Sequence, residues 1–279
     1  LTAVTFVEMH DNFFTGMLPT ELGQMTALTV LMVHNNILTG KLPTELSQII
    51  AMQQFFAHNN SLTGTIPSER ASWIDLQVFA VDDNRLTGPI PLEIGTWKAL
   101  TFLSILNNRL TGTVPTELGL CSSLQTLNLH NNSLYGTVPT ELGHLSALTW
   151  LNLANNGFVG TLPQVHNVSG FQGYEVSSNG FTGIIPTWLS EMTSLYHFSV
   201  SNNSLTGILP TEVGLMTDLQ ILFMRNNSLT GILPTELGQL TALQYLDLSD
   251  NGFTGAFPQE LVQSSGLISL DVSLNALTG

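Results

Sequence analysis

The chain has 279 residues, 43% of them hydrophobic and only 9% charged, so it carries ample apolar mass for a core and too little solvating charge for a disordered segment. Six Lys and Arg against twenty Asp and Glu give a net charge of −14, which repels a phosphate backbone and excludes nucleic acid as a partner. Asn, Thr, Ser and Gly interrupt every apolar stretch before the roughly 18 residues that a membrane-spanning helix requires, and the single cysteine, Cys121, permits no internal disulfide and reads as a small core residue.

A fixed period organises everything else. Asn recurs at 12, 36, 60, 84, 108, 132, 156, 179, 203, 227, 251 and 275, every interval being 24 residues except the 23 between Asn156 and Asn179. Four residues after each Asn stands a glycine, from Gly16 to Gly279, and three residues later, in eleven repeats, a proline, from Pro19 to Pro258. Within one repeat, Leu31 and Val33 alternate with Val30, Met32 and His34, which predicts a short strand with one buried face. The strand returns in the same direction each time, so neighbours pair in parallel at about 4.8 Å and form one concave sheet of about twelve strands. Asn36, Asn60 and their equivalents are expected to be buried at the strand ends, satisfying backbone groups of adjacent coils. Gly40 fits a tight bend, and Pro43-Thr44-Glu45-Leu46 reads as the opening of a short helical or 3₁₀ turn on the convex side, with the recurring Glu favoured in that first turn.

Residues 1–279 thus read as a single α/β solenoid of about twelve repeats. It begins and stops inside a repeat without caps, and is expected to belong to a longer chain. The irregular repeat, around 157–179, replaces the usual Thr-Glu-Leu-Gly by residues 164–170, where Val165, Asn167, Val168 and Gly170 disfavour a helix. An extended convex segment is expected there, with the sheet undisturbed because Phe171, Tyr174, Val176 and Asn179 keep their spacing.

Segments such as Leu38-Thr39-Gly40-Lys41-Leu42-Pro43, Leu110-Thr111-Gly112-Thr113-Val114-Pro115 and Leu229-Thr230-Gly231-Ile232-Leu233-Pro234 resemble the plant-type leucine-rich repeat, L-x-x-L-x-L-x-x-N-x-L-T/S-G-x-I-P. The resemblance covers essentially the whole chain. It implies a leucine-rich-repeat horseshoe with short 3₁₀ or helical convex segments. It also implies kinship with ectodomains of receptor-like kinases and receptor-like proteins, and with polygalacturonase-inhibiting proteins.

Ligand reading then falls to the outward positions of the concave strands. Phe6, Val30, Met32, Phe56, Phe102 and Trp150 form the main candidate patch, and Ile221, Phe223 and Tyr245 a second one. His10, His34 and His58 occupy one position in three successive strands, beside Asp82 and Asp83; side by side at strand spacing they read as a solvated row available to a partner, and no metal site or cofactor is expected. Asn-x-Ser acceptors stand at Asn59, Asn131, Asn167, Asn202 and Asn226, four of them immediately before a ladder asparagine, which favours a secreted or cell-surface protein. No nucleophile elbow, phosphate-binding glycine loop or metal-ligand motif stands out from the repeat, so the chain is not expected to be an enzyme. The function expected is extracellular recognition of a peptide, protein or polysaccharide on the concave face. The alternative is a structural or adhesive scaffold whose solenoid packs laterally against other subunits.

Overall fold

The computed structural model describes residues 2–68, 72–165, 170–262 and 266–278. The chain forms two compact units, Leu1–Leu148 and Thr149–Gly279. In the first, the concave strands are Phe6–Glu8, Val30–Met32, Gln54–Phe56, Val78–Ala80, Phe102–Ser104 and Thr126–Asn128, all parallel and paired in sequence order. In the second they are Trp150–Asn152, Gly173–Glu175, His197–Ser199, Ile221–Phe223, Tyr245–Asp247 and Ser269–Asp271, again parallel and in order. The middle residue of each strand points inward. Leu31, Phe55, Leu103, Leu127, Leu151, Tyr174, Phe198 and Leu222 are fully buried, each contributing roughly 1.5–3 kcal/mol of apolar burial. Stacking supplies that burial: Leu270, with a neighbouring coil on one side only, is 42% exposed.

A second sheet goes beyond the sequence reading. The Leu-Thr-Gly-x segment is not merely a bend after the asparagine but a parallel strand in its own right. In the first unit these strands run from Thr15–Met17 through Ile37–Lys41 to Ser133–Thr137, and in the second from Gly157–Gly160 through Ser204–Ile208 to Ala276–Thr278. Leu38 points in, Thr39 points out and donates its hydroxyl to the Gly16 carbonyl (3.3 Å). The glycine bends this strand at positive φ: Gly40 has φ +77°, and a side chain there would also run into Met17, 2.5 Å from its Cγ.

On the convex side, among the described residues, five 3₁₀ turns in the first unit, such as Thr20–Gln24 and Thr44–Gln48, and three in the second, such as Thr211–Leu215, start after the proline, and all but Thr187–Glu191 carry an acidic residue in the first turn. The irregular repeat has no helix at Gln164 and Val165, the rest of the segment up to Ser169 lying outside the described residues. There the buried Val165 and the hydroxyl of buried Tyr174, which donates to the Pro163 carbonyl at 3.0 Å, hold the convex wall. The strand Gly173–Glu175 pairs on both sides without interruption. Cys121 is a core residue, fully buried, and burial pushes its thiol up to about 11.

The asparagine ladder is present, though less buried than its regularity suggested. Asn36 donates to the carbonyls of Met9, Val33 and His34 at 2.9, 3.2 and 3.1 Å, and its Oδ1 accepts the Phe14 N–H at 3.0 Å, so one amide ties two coils together. Asn84 and Asn108 are buried, but Asn36, Asn60 and Asn132 are half-buried and Asn12 is exposed. Each stands at a strand end beside a more open residue in the left-handed region, which leaves one flank near solvent. That neighbouring residue, from Asp11 to Leu274, has φ between +49° and +56° in every repeat, a conformation that Asn and Asp tolerate best among non-glycine residues. These residues build a second, exposed ladder: Asn35 donates to Asp11 Oδ1 (2.6 Å), Asn59 to Asn35 (2.9 Å), Asn107 to Asp83 (2.7 Å), Asn131 to Asn107 (2.6 Å) and Asn226 to Asn202 (3.0 Å).

Candidate functional site: the concave face

In the first unit, strand register places Phe6, Val30, Gln54, Val78 and Phe102 in one row and Glu8, Met32, Phe56, Ala80 and Ser104 in the next. Phe6 is 61% exposed and Met32, Phe56 and Phe102 are half-buried, as a contact surface requires. Val30 departs from the expectation. It is only 6% exposed, because a short branched side chain flanked at strand spacing by longer neighbours is covered by them, and it has little surface left to offer a ligand.

The histidine row is a stacked column. The His10 and His34 ring centroids are 4.6 Å apart with planes 3° from parallel, and those of His34 and His58 are 4.3 Å apart at 20°. Phe56 meets both His34 and His58 edge-on, at 6.0 and 6.4 Å. Burial, followed by the proximity of His58 and His10, lowers the His34 pKa. Asp11, absent from the sequence-based site, joins the column: its Oδ2 lies 2.7 Å from His10 Nδ1, and hydrogen bonds from His10 and Asn35 hold its carboxyl below the usual range. Asp82 behaves oppositely, its pKa being raised mainly by burial.

In the second unit the central feature is Trp150. Its ring lies flat against Gly173 in the neighbouring strand, where any Cβ would overlap the indole, and reaches on to His197 and Tyr196, at centroid distances of 5.7 and 6.0 Å. Beside it, His197 Nε2 lies 3.0 Å from Glu175 Oε2, and Glu175 Oε1 accepts the Ser177 N–H at 2.9 Å. Burial alone would raise the Glu175 pKa, but the bonds from His197 and Ser177 outweigh it and hold the carboxylate below its ordinary value. Ile221 and Tyr245 are directly paired in register, with Phe223 on the next row, and Tyr245 is 37% exposed. This forms the second patch. Glu175 and His197 were missed by sequence reasoning because neither belongs to a repeated motif; their contact is diagonal across strands.

Asn59, Asn131, Asn202 and Asn226 are all exposed at the strand-end edge, while Asn167 lies outside the described residues. Among the described residues, no helix is long and apolar enough to cross a membrane.

Parallel concave strands, inward apolar residues and an asparagine ladder at a 24-residue period are the defining parts of a leucine-rich-repeat solenoid. The chain belongs to the leucine-rich-repeat family. The Leucine Rich Repeat family model matches residues 123–145, 194–216, 218–240 and 242–263. A solved TDR receptor structure is 31% identical over 100% of this chain and 48% of its own, with a TM-score of 0.96. The plant peptide hormone receptor RGFR1, solved in complex with RGF2, is 30% identical over 96% of this chain and 47% of its own, with a TM-score of 0.89. A leucine-rich-repeat protein of Leptospira interrogans is 31% identical over 97% of this chain and 72% of its own, with a TM-score of 0.71. The chain therefore spans about half the length of the two receptors. No curated protein sequence matches it.

Proposed function

We propose that the chain is an extracellular recognition module that binds an extended peptide along its concave face, and that it is not itself catalytic. The observation carrying this reading is the cluster in the second unit. Trp150 spread over Gly173, the half-buried Glu175–His197 pair and the neighbouring Ile221, Phe223 and Tyr245 combine a rigid aromatic platform, an apolar flank and a fixed polar pair on one sheet surface. The first-unit patch of Phe6, Met32, Phe56 and Phe102 supplies a further contact area. Similarity to the plant peptide hormone receptor solved with RGF2 supports a peptide rather than a polysaccharide or folded protein as ligand, and an extracellular location. The chain's net charge of −14 favours the approach of basic peptides over acidic ones. The test is selection from a displayed library of short peptides, followed by titration of the enriched consensus against Trp150→Ala and Tyr245→Ala. At least tenfold weaker binding by Trp150→Ala is expected; no enriched consensus, or binding by both variants as tight as by the wild type, overturns the reading.

A lateral scaffold role is favoured by one separate observation. Ile184, Ile208 and Ile232 recur at one position of three successive repeats, 62%, 61% and 68% exposed, along a shallow surface that also includes Gly207 and Thr211. If this surface pairs copies of the chain, sedimentation shows a dimer that Ile208→Lys dissolves; a monomer at all concentrations removes the role.

A further inference from the structure

One ligand atom from each of His10, Asp11 and His34 lies within 4.8 Å of the other two. We propose that these three side chains form a surface site for a borderline divalent transition metal such as Cu²⁺ or Zn²⁺. The sequence showed only a row of histidines projecting side by side, an arrangement without convergence. The structure adds Asp11, whose carboxylate turns back toward the column and meets His10 at 2.7 Å.

Several features fit such a site. Two imidazoles and one carboxylate are a donor set for zinc or copper and a poor one for the all-oxygen shells of calcium and magnesium. The carboxylate is aimed by a supporting contact, because Asn35 Nδ2 donates to Asp11 Oδ1 at 2.6 Å and leaves Oδ2 turned toward His10. His34 Nδ1 is buried and has no hydrogen-bond partner among the described residues, so a metal on that nitrogen would give it the partner the chain does not. A tetrahedral zinc at about 2.0–2.2 Å from its ligands needs them roughly 3.3 Å apart. The three ligand atoms, within 4.8 Å of one another, would close to that spacing around the ion. His58, stacked on His34 at 4.3 Å, stands one rung away as a further imidazole. Three protein ligands leave a coordination position open, through which a bound ion can engage a carboxylate or imidazole of a partner lying on the concave face.

The site is independent of the peptide reading and is tested separately. Metal-stripped protein is titrated calorimetrically at pH 7.5 with Cu²⁺ or Zn²⁺ alone, with Mg²⁺ and Ca²⁺ as controls. One equivalent of the transition metal is expected to bind, with at least tenfold weaker binding in His34→Ala and in Asp11→Asn and unchanged binding in His144→Ala, which removes an exposed histidine elsewhere. Copper bound by the wild type should show nitrogen hyperfine structure in its electron paramagnetic resonance spectrum, and Asp11→Asn, at an exposed position, decides the matter should His34→Ala unfold. Absence of saturable binding, or stoichiometric binding retained by a His10→Ala/His34→Ala double variant, overturns the proposal.

Discussion

His197 Nε2 donates to Glu175 Oε2 at 3.0 Å across adjacent concave strands, with the two side chains only 17% and 16% exposed. Register pairs Gly173 with His197 and Glu175 with Ser199, so the contact is a diagonal one, reached because both side chains are long. The folded-state pKa of Glu175 lies below its ordinary value of about 4.3. The ionised form is therefore favoured by folding, and the stability it contributes is present above that ordinary value and lost as pH falls through the depressed one. Glu175→Gln should be about 1–3 kcal/mol less stable than wild type at pH 7, with the gap narrowing below about pH 4. Denaturant titrations at pH 7, 5 and 3 measure this, and a gap of constant size would show that charge is not the source.

Gly173 is required by its neighbour rather than by its backbone. A methyl group there would occupy the place of the Trp150 ring, and indole and sheet cannot both stay where they are. Gly173→Ala is expected to swing Trp150 toward solvent, red-shifting and quenching its fluorescence and costing about 1–3 kcal/mol of stability. An unchanged spectrum would show that the ring is not fixed against the strand.

Ladder position sets the value of each asparagine. Asn108 is buried and donates to the carbonyls of Val81, Ile105 and Leu106 while accepting the Leu86 N–H, so Asn108→Ala leaves several backbone groups unpaired and should cost about 1–3 kcal/mol. Asn12 is exposed and its side-chain amide donates to the Met9 and His10 carbonyls of its own turn, so Asn12→Ala should cost far less. Equal losses in thermal unfolding would make the ladder decorative.

Glycans are expected on at least two of Asn59, Asn131, Asn202 and Asn226, which are exposed and followed by Ser two residues later. Each sequon amide already donates to the preceding rung, and one remaining amide hydrogen suffices for that bond after attachment. Intact mass of material from a eukaryotic secretory host, with and without a glycosidase, gives the count, and zero removes the expectation.

Most of the architecture was legible because period carries it. Leu31 and Val33 mark a half-buried strand, Pro43 and Glu45 a short turn, and Asn36 a ladder, and each does in the structure what its chemistry dictates. The second sheet was not legible, since Leu38, Thr39 and Gly40 read as a bend once Gly40 is assigned to it; only the neighbouring coil turns that bend into a strand. The concave site was half legible. Trp150 and Phe56 stand out by type, but Val30 looks exposed until Phe6 and Gln54 flank it. The Glu175–His197 pair and the Asp11–His10 contact depend on side-chain directions that a period does not encode.

The left-handed residue before each ladder asparagine has an evolutionary consequence. Backbone geometry favours Asn or Asp there, which fill ten of the twelve positions, the ladder selects Asn next, and the third position is the exposed start of the second sheet in several repeats. Two thirds of a glycan acceptor are therefore written into these coils for reasons of folding. Ile37→Ser or Arg109→Ser, each at an exposed position, would complete one at Asn35 or Asn107. A lineage carrying this solenoid can add or erase sugars rung by rung through single surface substitutions, redrawing which edge of the molecule is shielded while the core sequence stays as it is.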